Sequence, residues 1–425
     1  MVVLGPEHDT FKGVMDVREV MGALLTFSMF VMLGNMVKRD HFDGDVLLDV
    51  PVTSNVGLDV KRSTRHKLTQ LANEASANYG QQLKLCFNGS ALPKVGGQSK
   101  RIVTFSLTDG PEYHVSQVAN AVLVAKHLGA TLVLPKIIGN KGEKRGFEEI
   151  YDAERFISSM SGVVQVERRL HTDTFMQKLV SVKVPYNANH DYIMTNVGPL
   201  FQATQYVRVI TYFPSLTMGE GKVDKAMNPY SCWTAFEALR LNPELQEVVD
   251  SIVRRLRSHE PDGQFVAVDY KGEMLGTSSC GSSANKGMKS CYTPVEIAQF
   301  LQRIGYPRYS TIYVTQSKPD HSLLSLKDLY PKTFTKEDIM QEGDIGGLAN
   351  SKLEQEIIDF HLCSVSDVFV PAKSGLFYAN VVGNRIASGK ADVLVPAQIT
   401  SNLAQDHVSS YISKRNHPAY ACFCQ

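Results

Sequence analysis

Two short stretches of this 425-residue chain combine charged or small polar side chains with a place to hold a ligand. The first is Asp269-Tyr270-Lys271-Gly272-Glu273, directly after the apolar run Phe265-Val266-Ala267-Val268. If the strand continues through it, the two-residue period puts Asp269, Lys271 and Glu273 on one face. A lysine between two carboxylates suits a leaving diphosphate. The ammonium neutralises it, and a carboxylate orients the lysine or takes a proton from an attacking hydroxyl. A structural ion pair at a strand end has the same spacing.

The second stretch is Ser374-Gly375-Leu376 within SDVFVPAKSGLFYANVVGNR, residues 366–385. Asp367–Pro371 reads as a short buried strand, and the run after Gly375 has loose helical spacing with Leu376, Ala379 and Val382 near one face. Phe377 and Val381 fall outside that face. A strand that ends in a small polar turn and opens a helix presents free backbone N–H groups and the positive end of the helix dipole to an anion. Ser374 suits both the helix cap and a phosphate contact, and Gly375 lets a ligand approach the backbone. An ordinary strand–helix unit with a capping serine reads the same way.

The elements that must position these stretches form two strand–helix blocks. In the first, Ile102–Phe105 is a strand, His114–Leu128 a helix stopped by Gly129, and Thr131–Pro135 a strand. This βαβ unit predicts a parallel sheet. The intervening turn holds Asp109 and Gly110 at the carboxyl end of the first strand, where open α/β sheets bind ligands. One glycine there is not a dinucleotide fingerprint. Asn242-Pro243 opens a long helix, 242–256. A second block follows: strand 264–269, helix 294–304, strand Thr311–Thr315, helices 322–330 and 353–362, then the 366–385 stretch. The expectation is an α/β protein of two facing Rossmann-like domains with a cleft between them.

Composition is that of a folded protein, 43% hydrophobic and 20% charged, and a net charge of +1 gives no general electrostatic case for nucleic acid. Among seven cysteines there is no CxxC pair, which argues against a zinc ribbon. Cys280 and Cys291 flank a Gly/Ser/Lys loop that a disulfide would close in an oxidising compartment. Asp43-Gly44-Asp45 lies far from any strand–helix unit and reads as chance. The basic loop Lys136–Arg145 reads as solvated, and His114, His321 and His361 are isolated and lack ligand spacing.

Val20–Val37 is 18 residues without charge, followed by Lys38-Arg39. That is at the short end of the spanning range of about 17–25 residues, and no small-residue cleavage site follows. An uncleaved anchor is expected there, with a tail at 1–19 and a stem at 38–97. Asn88-Gly89-Ser90 is a glycosylation sequon and favours a lumenal body.

Several of these blocks carry a resemblance. LTFSMFVMLGNMVKRDHFD, SLTDGPEYHVSQVANAVLVAKHLGATLVLP, VAVDY, TIYVTQ and SDVFVPAKSGLFYANVVGNR are similar, in order, to the plant O-fucosyltransferase-like glycosyltransferases, most closely their mannan-synthesis-related branch. The resemblance implies a GT-B fold with domains at 98–260 and 261–400 and a tail at 401–425. It implies a single-pass type II Golgi protein that transfers sugar from a GDP-sugar to a polysaccharide in mannan synthesis, without metal or cofactor. A mannan synthase is the implied partner. It assigns Lys271, Glu273 and Asp269 to catalysis, and Asp367, Ser374, Gly375, Leu376, Asp109 and Gly110 to donor binding. The family's His-Leu-Arg-Phe-Glu motif aligns with residues 269–273, so lysine stands for arginine and aspartate for histidine. Lysine keeps the charge and loses the two-pronged grip on phosphate. A non-catalytic partner of a mannan synthase, or a fucosyl- or rhamnosyltransferase, fits the same residues.

Overall fold

A computed structural model describes residues 83–95, 99, 101–107, 110–138, 144–169, 179–213, 227–272, 291–316, 321–341, 351–396 and 401–424. All lie within one compact unit, Lys67–Gln425. The expected anchor, the stem to residue 82, Asp109, Glu273 and Cys280 fall outside the described residues. Among the described residues, no helix is long and apolar enough to cross a membrane.

Among the described residues, nine strands form two parallel sheets. In the first, β1 (Ile102–Phe105), β2 (Thr131–Val133), β3 (Val166–Glu167), β4 (Val180–Pro185) and β5 (Tyr206–Tyr212) lie in the order β3-β2-β1-β5-β4. In the second, β6 (Val266–Asp269), β7 (Ile312–Val314), β8 (Thr333–Phe334) and β9 (Val368–Pro371) lie in the order β8-β7-β6-β9. Helix α1 (Pro111–Leu128) crosses from β1 to β2, as the apolar spacing requires. Gly129, at φ 60°, ends it with its N–H on the Ala125 carbonyl. Helix α2 (Pro243–Ser258) starts on an Asn242 cap whose side chain accepts from the Leu245 N–H, and it buries Leu245, Val249, Ile252 and Leu256.

The second sheet is covered on both faces, which is why its strands are continuously apolar. Val266 and Val268 point to the layer under helix α3 (Pro294–Arg303), with Ile297, Phe300 and Leu301. Phe265 and Ala267 point the other way, to helices α4 (Lys352–Val365) and α5 (Leu376–Ala387) and the body of the first sheet. Asp269 continues that second face by the same alternation.

The buried stripe of α5 is Tyr378, Val381, Val382, Arg385 and Ile386: Val382 is buried as expected, while Leu376 and Ala379 are only half-buried. A tyrosine and an arginine hold core positions, and apolar spacing alone does not count them. Arg385 is fully buried because its guanidinium donates to the carbonyls of Cys363, Ser366, Asp367 and Asp392 at 3.2, 2.7, 2.9 and 2.9 Å. It ties the end of α4 to the start of β9.

The expected stem and tail are both revised. Leu85, Phe87 and Leu92 pack against the main core, and so do Ile412, Ala419 and Cys422. Residues 84–85 pair antiparallel with 423–424. Disulfides join Cys86 to Cys424 and Cys232 to Cys422, with Cα–Cα distances of 4.9 and 5.5 Å. Their sequence separations, 338 and 190, leave no local signal. Cys291 is also disulfide-bonded, and Cys363 is free and buried.

Candidate functional site

Strand register brings the two chemistry-bearing stretches together. β9 pairs with β6 so that Pro371 stands opposite Asp269, and the Ala372 N–H donates to the Asp269 carbonyl at 3.1 Å. The strands end side by side, and the segments 270–272 and 372–375 leave the sheet together. Residues about 100 positions apart in the chain thus flank one point at the carboxyl edge of the second sheet, where open α/β sheets bind ligands.

β6 stops at Asp269, so Asp269 and Lys271 do not share a face through strand geometry; Glu273 lies outside the described residues. Instead Gln316 accepts from the Gly272 N–H, and Thr315 Oγ1 donates to Asp269 Oδ1 (3.2 Å) or the Tyr270 carbonyl (3.0 Å). Asp269 is 3% exposed. Burial pushes its carboxyl up to about 6, with Asp359 and Glu112 adding to the rise and Lys271 and Thr315 opposing it.

Lys271 keeps more solvent contact. Its Nζ lies 4.0 Å from Glu356 Oε1 on α4 and 5.8 Å from the ring centroid of Phe377 in the first turn of α5. Burial pulls its pKa down, but Asp359, Asp269, Glu356 and Glu112 together hold it above the ordinary lysine value. Asp359 itself is fully buried and bound to Lys336 Nζ (2.5 Å) and the Tyr313 hydroxyl (2.6 Å).

Gly375 adopts φ 145° and ψ −169°, a conformation suited to glycine, and caps α5 with no side-chain hydrogen bond. Ser374 is therefore not the expected cap. Its hydroxyl has no hydrogen-bond partner among the described residues, and α5, which begins without a side-chain cap, carries in its first turn the Phe377 ring that faces Lys271. Leu376 begins that turn, half-buried. Asp367 stands elsewhere. It precedes β9, about 13 Å along the strand from Pro371. Its carboxylate accepts from Arg257 (3.2 Å) and from the Phe265 N–H (3.0 Å), which makes it a strand anchor rather than a neighbour of the turn.

The helix that follows the first strand of the first sheet also reaches this place. Gly110 caps α1, with the Glu112 carboxylate folded back over its Cα. Asn380 Nδ2 on α5 donates to the Glu112 carbonyl on α1, so the two helix N-termini face each other. His114 is buried, with Nδ1 2.8 Å from the Tyr151 hydroxyl.

Glu356, Asp359, Gln316, Asn380 and Phe377 were not singled out as site residues in sequence. Only Phe377 had a signal there, as an aromatic residue off the apolar stripe. Among the described residues, no group of three or more His, Cys, Asp or Glu side chains is placed to hold a metal ion. Chemically, a cation stands beside the first turn of a helix that begins without a side-chain cap and directly after Ser374, an arrangement that can hold an anion.

Comparison with known proteins adds to this geometry. The sequence profile of the GDP-fucose protein O-fucosyltransferase family matches residues 114–387. Protein MANNAN SYNTHESIS-RELATED 1 of Arabidopsis thaliana is 44% identical over 422 residues, covering 96% of this chain and 99% of that protein. Protein MANNAN SYNTHESIS-RELATED of Trigonella foenum-graecum is 41% identical over 420 residues, with the same coverage. Among solved structures, apo POFUT1 superposes with a TM-score of 0.44 at 14% identity, over 72% of this chain and all of that one.

Proposed function

The chain belongs to the GDP-fucose protein O-fucosyltransferase family, in its mannan-synthesis-related branch, and we propose that it transfers a sugar from a GDP-sugar to a cell-wall polysaccharide in mannan or glucomannan synthesis. The observation that carries this reading is the convergence of Lys271 with the open N-terminus of α5, set by the Pro371–Asp269 register. An acceptor hydroxyl attacks the anomeric carbon, and the bond from that carbon to the β-phosphate oxygen breaks. The electron pair leaves on GDP. Lys271 Nζ, the amides after Gly375 and the Ser374 hydroxyl take up the developing charge. Lysine makes this a point contact, where arginine would make a fork.

Asp269 acts through Lys271 as a positioning residue, since it is buried and held by Thr315. The acceptor proton goes to a carboxylate, for which Glu273, two residues beyond Lys271 in the chain, is our candidate. Gly110 lies on the donor side of the cleft in this reading, and no metal takes part.

We place the protein in the Golgi membrane with the 20–37 segment as a type II anchor and the boundary between its two sheet domains near residue 260, the segments 83–95 and 401–424 packing on that body. Two disulfides in the described body fit an oxidising lumen. Asn88 is exposed and its Oδ1 accepts from the Ser90 N–H, so Nδ2, the atom that carries an N-glycan, has no partner among the described residues. The test is turnover: GDP release from GDP-mannose and GDP-fucose with a manno-oligosaccharide acceptor. Release that depends on acceptor and is lost in Lys271→Ala supports transfer. Folded protein that releases no GDP from either donor contradicts it.

A second reading has its own observation. Four carboxylates, those of Asp359, Asp269, Glu356 and Glu112, act on Lys271, and this negative surround opposes a diphosphate. A non-catalytic partner of a mannan synthase fits that charge balance. Such a partner would keep its cellular role in Lys271→Ala.

A further inference from the structure

Behind the contact between Glu112 and Asn380 lies a cavity of ≈ 230 Å³, bounded by α1, α2, the helical segment 229–238, α4 and the far end of α5. Its position differs from that of the donor turn. Asn384, which lines it, is eight residues past Leu376, about 12 Å along the helix axis.

Its chemistry is specific. The side-chain amide of Asn384 and the ring nitrogens of His361 line the cavity with no hydrogen-bond partner among the described residues. Both residues are half-buried, so these groups are satisfied by solvent or by a ligand that displaces it. Burial and the neighbouring Arg240 lower His361 to about 4, so at neutral pH the imidazole offers one donor and one acceptor. The amide offers both as well. Arg240 is already engaged, by the Phe236 carbonyl at 2.7 Å and Glu237 at 3.7 Å, which leaves little uncompensated charge for an anion. Apolar walls come from the aromatic side chains of Tyr151, Phe236 and Phe360. The volume is below the roughly 300–1,000 Å³ of a drug-sized pocket, which excludes a nucleotide and leaves room for about one pyranose ring.

We propose that this cavity is a sugar-binding subsite, separate from the donor turn, that takes one residue of a neutral glycan through Asn384 and His361. Paired donor–acceptor groups beside aromatic carbon match alternating hydroxyls beside C–H faces. The inference goes beyond the transferase reading, because such a subsite needs no turnover.

The test titrates the folded protein with mannotetraose, cellotetraose and, separately, GDP. Asn384→Leu and His361→Phe are expected to weaken tetrasaccharide binding at least tenfold and to leave GDP affinity within twofold. Lys271→Ala is expected to do the reverse, so failure of the subsite and failure of the donor site read out separately. In the wild type, hydrogen exchange should show protection at residues 360–365 and 384–388 on adding tetrasaccharide. Unchanged binding in both cavity variants, no binding of either tetrasaccharide by the wild type, or protection confined to other segments would each overturn the proposal.

Discussion

Lys271 and Phe377 face each other where the second sheet ends, with the ammonium 5.8 Å from the ring centroid. One residue follows β6 and the other opens α5, so this contact joins the cationic stretch to the helix N-terminus. A cation held against a ring face keeps its position and gains about 0.5–1 kcal/mol at a partly exposed site. Phe377→Ala should therefore weaken GDP binding by a few-fold, and because the ring also packs edge-on to Phe360 it should cost roughly 1–3 kcal/mol of stability, measured by titration and by urea unfolding in parallel. Unaltered GDP affinity would mean that the ring does not place the lysine.

Asp269 should give the protein a pH signature. Its carboxyl is raised by burial to about 6 from 3.8, so the folded state holds a proton that the unfolded state has lost. That contribution is complete below pH 3.8 and is lost as pH rises through about 6; it is on the order of 3 kcal/mol. Unfolding titrations of wild type and Asp269→Asn should diverge between pH 4 and 6 and run parallel above 7. Parallel curves across the whole range would rule out the raised pKa.

Gly375→Ala tests the backbone of the turn. At φ 145° an alanine is strained, while nothing lies within 4 Å of its Cβ position, so strain acts without crowding. A loss of roughly 1–3 kcal/mol in stability is expected. GDP affinity should fall with it, because the amides at the start of α5 move. A variant as stable as wild type, by urea unfolding, would show that the turn relaxes freely.

Asp367 should behave in the opposite way to Lys271. Asp367→Ala leaves the Phe265 N–H and Arg257 without their acceptor, which costs roughly 1–3 kcal/mol. GDP affinity should stay within twofold of wild type. A large loss of GDP binding in a stable variant would return Asp367 to the donor site.

Much of this architecture is readable from residues in order. Apolar runs ending at Asp269 and Pro371, the Asn242 cap and the Gly129 stop all mark real boundaries, because each rests on local backbone chemistry. The site itself is only half legible. Lys271 and Ser374-Gly375 advertise themselves by charge and turn type, but their adjacency depends on strand register, which no single stretch encodes. Glu356 and Asp359 sit on an ordinary amphipathic helix and gain meaning only when α4 packs beside β6. The swap of Leu376 and Ala379 for Tyr378 and Arg385 in the α5 core has a similar cause. An arginine is a core residue only once six carbonyl and hydroxyl acceptors surround it. The terminal strap was missed because its cysteines pair across almost the whole chain.

The strap yields a stability prediction. Replacing Cys232 and Cys422 with serine removes a cross-link between helix 229–233 and the C-terminal segment, and a loss of about 2–4 kcal/mol is expected. Thermal unfolding with and without reductant checks it. Reductant should lower the wild-type midpoint by more than that of the double variant, and equal shifts would contradict the prediction.

The first experiment to run is calorimetric titration of the folded protein with GDP, UDP and ADP, for wild type, Lys271→Ala, Lys271→Arg and Ser374→Ala. We expect selective GDP binding that Lys271→Ala weakens at least tenfold, Ser374→Ala weakens less, and Lys271→Arg retains. Well-folded protein that binds no nucleotide, or binds GDP equally well without the lysine ammonium, would contradict a donor site at the Lys271–Gly375 junction and leave the non-catalytic partner as the better reading.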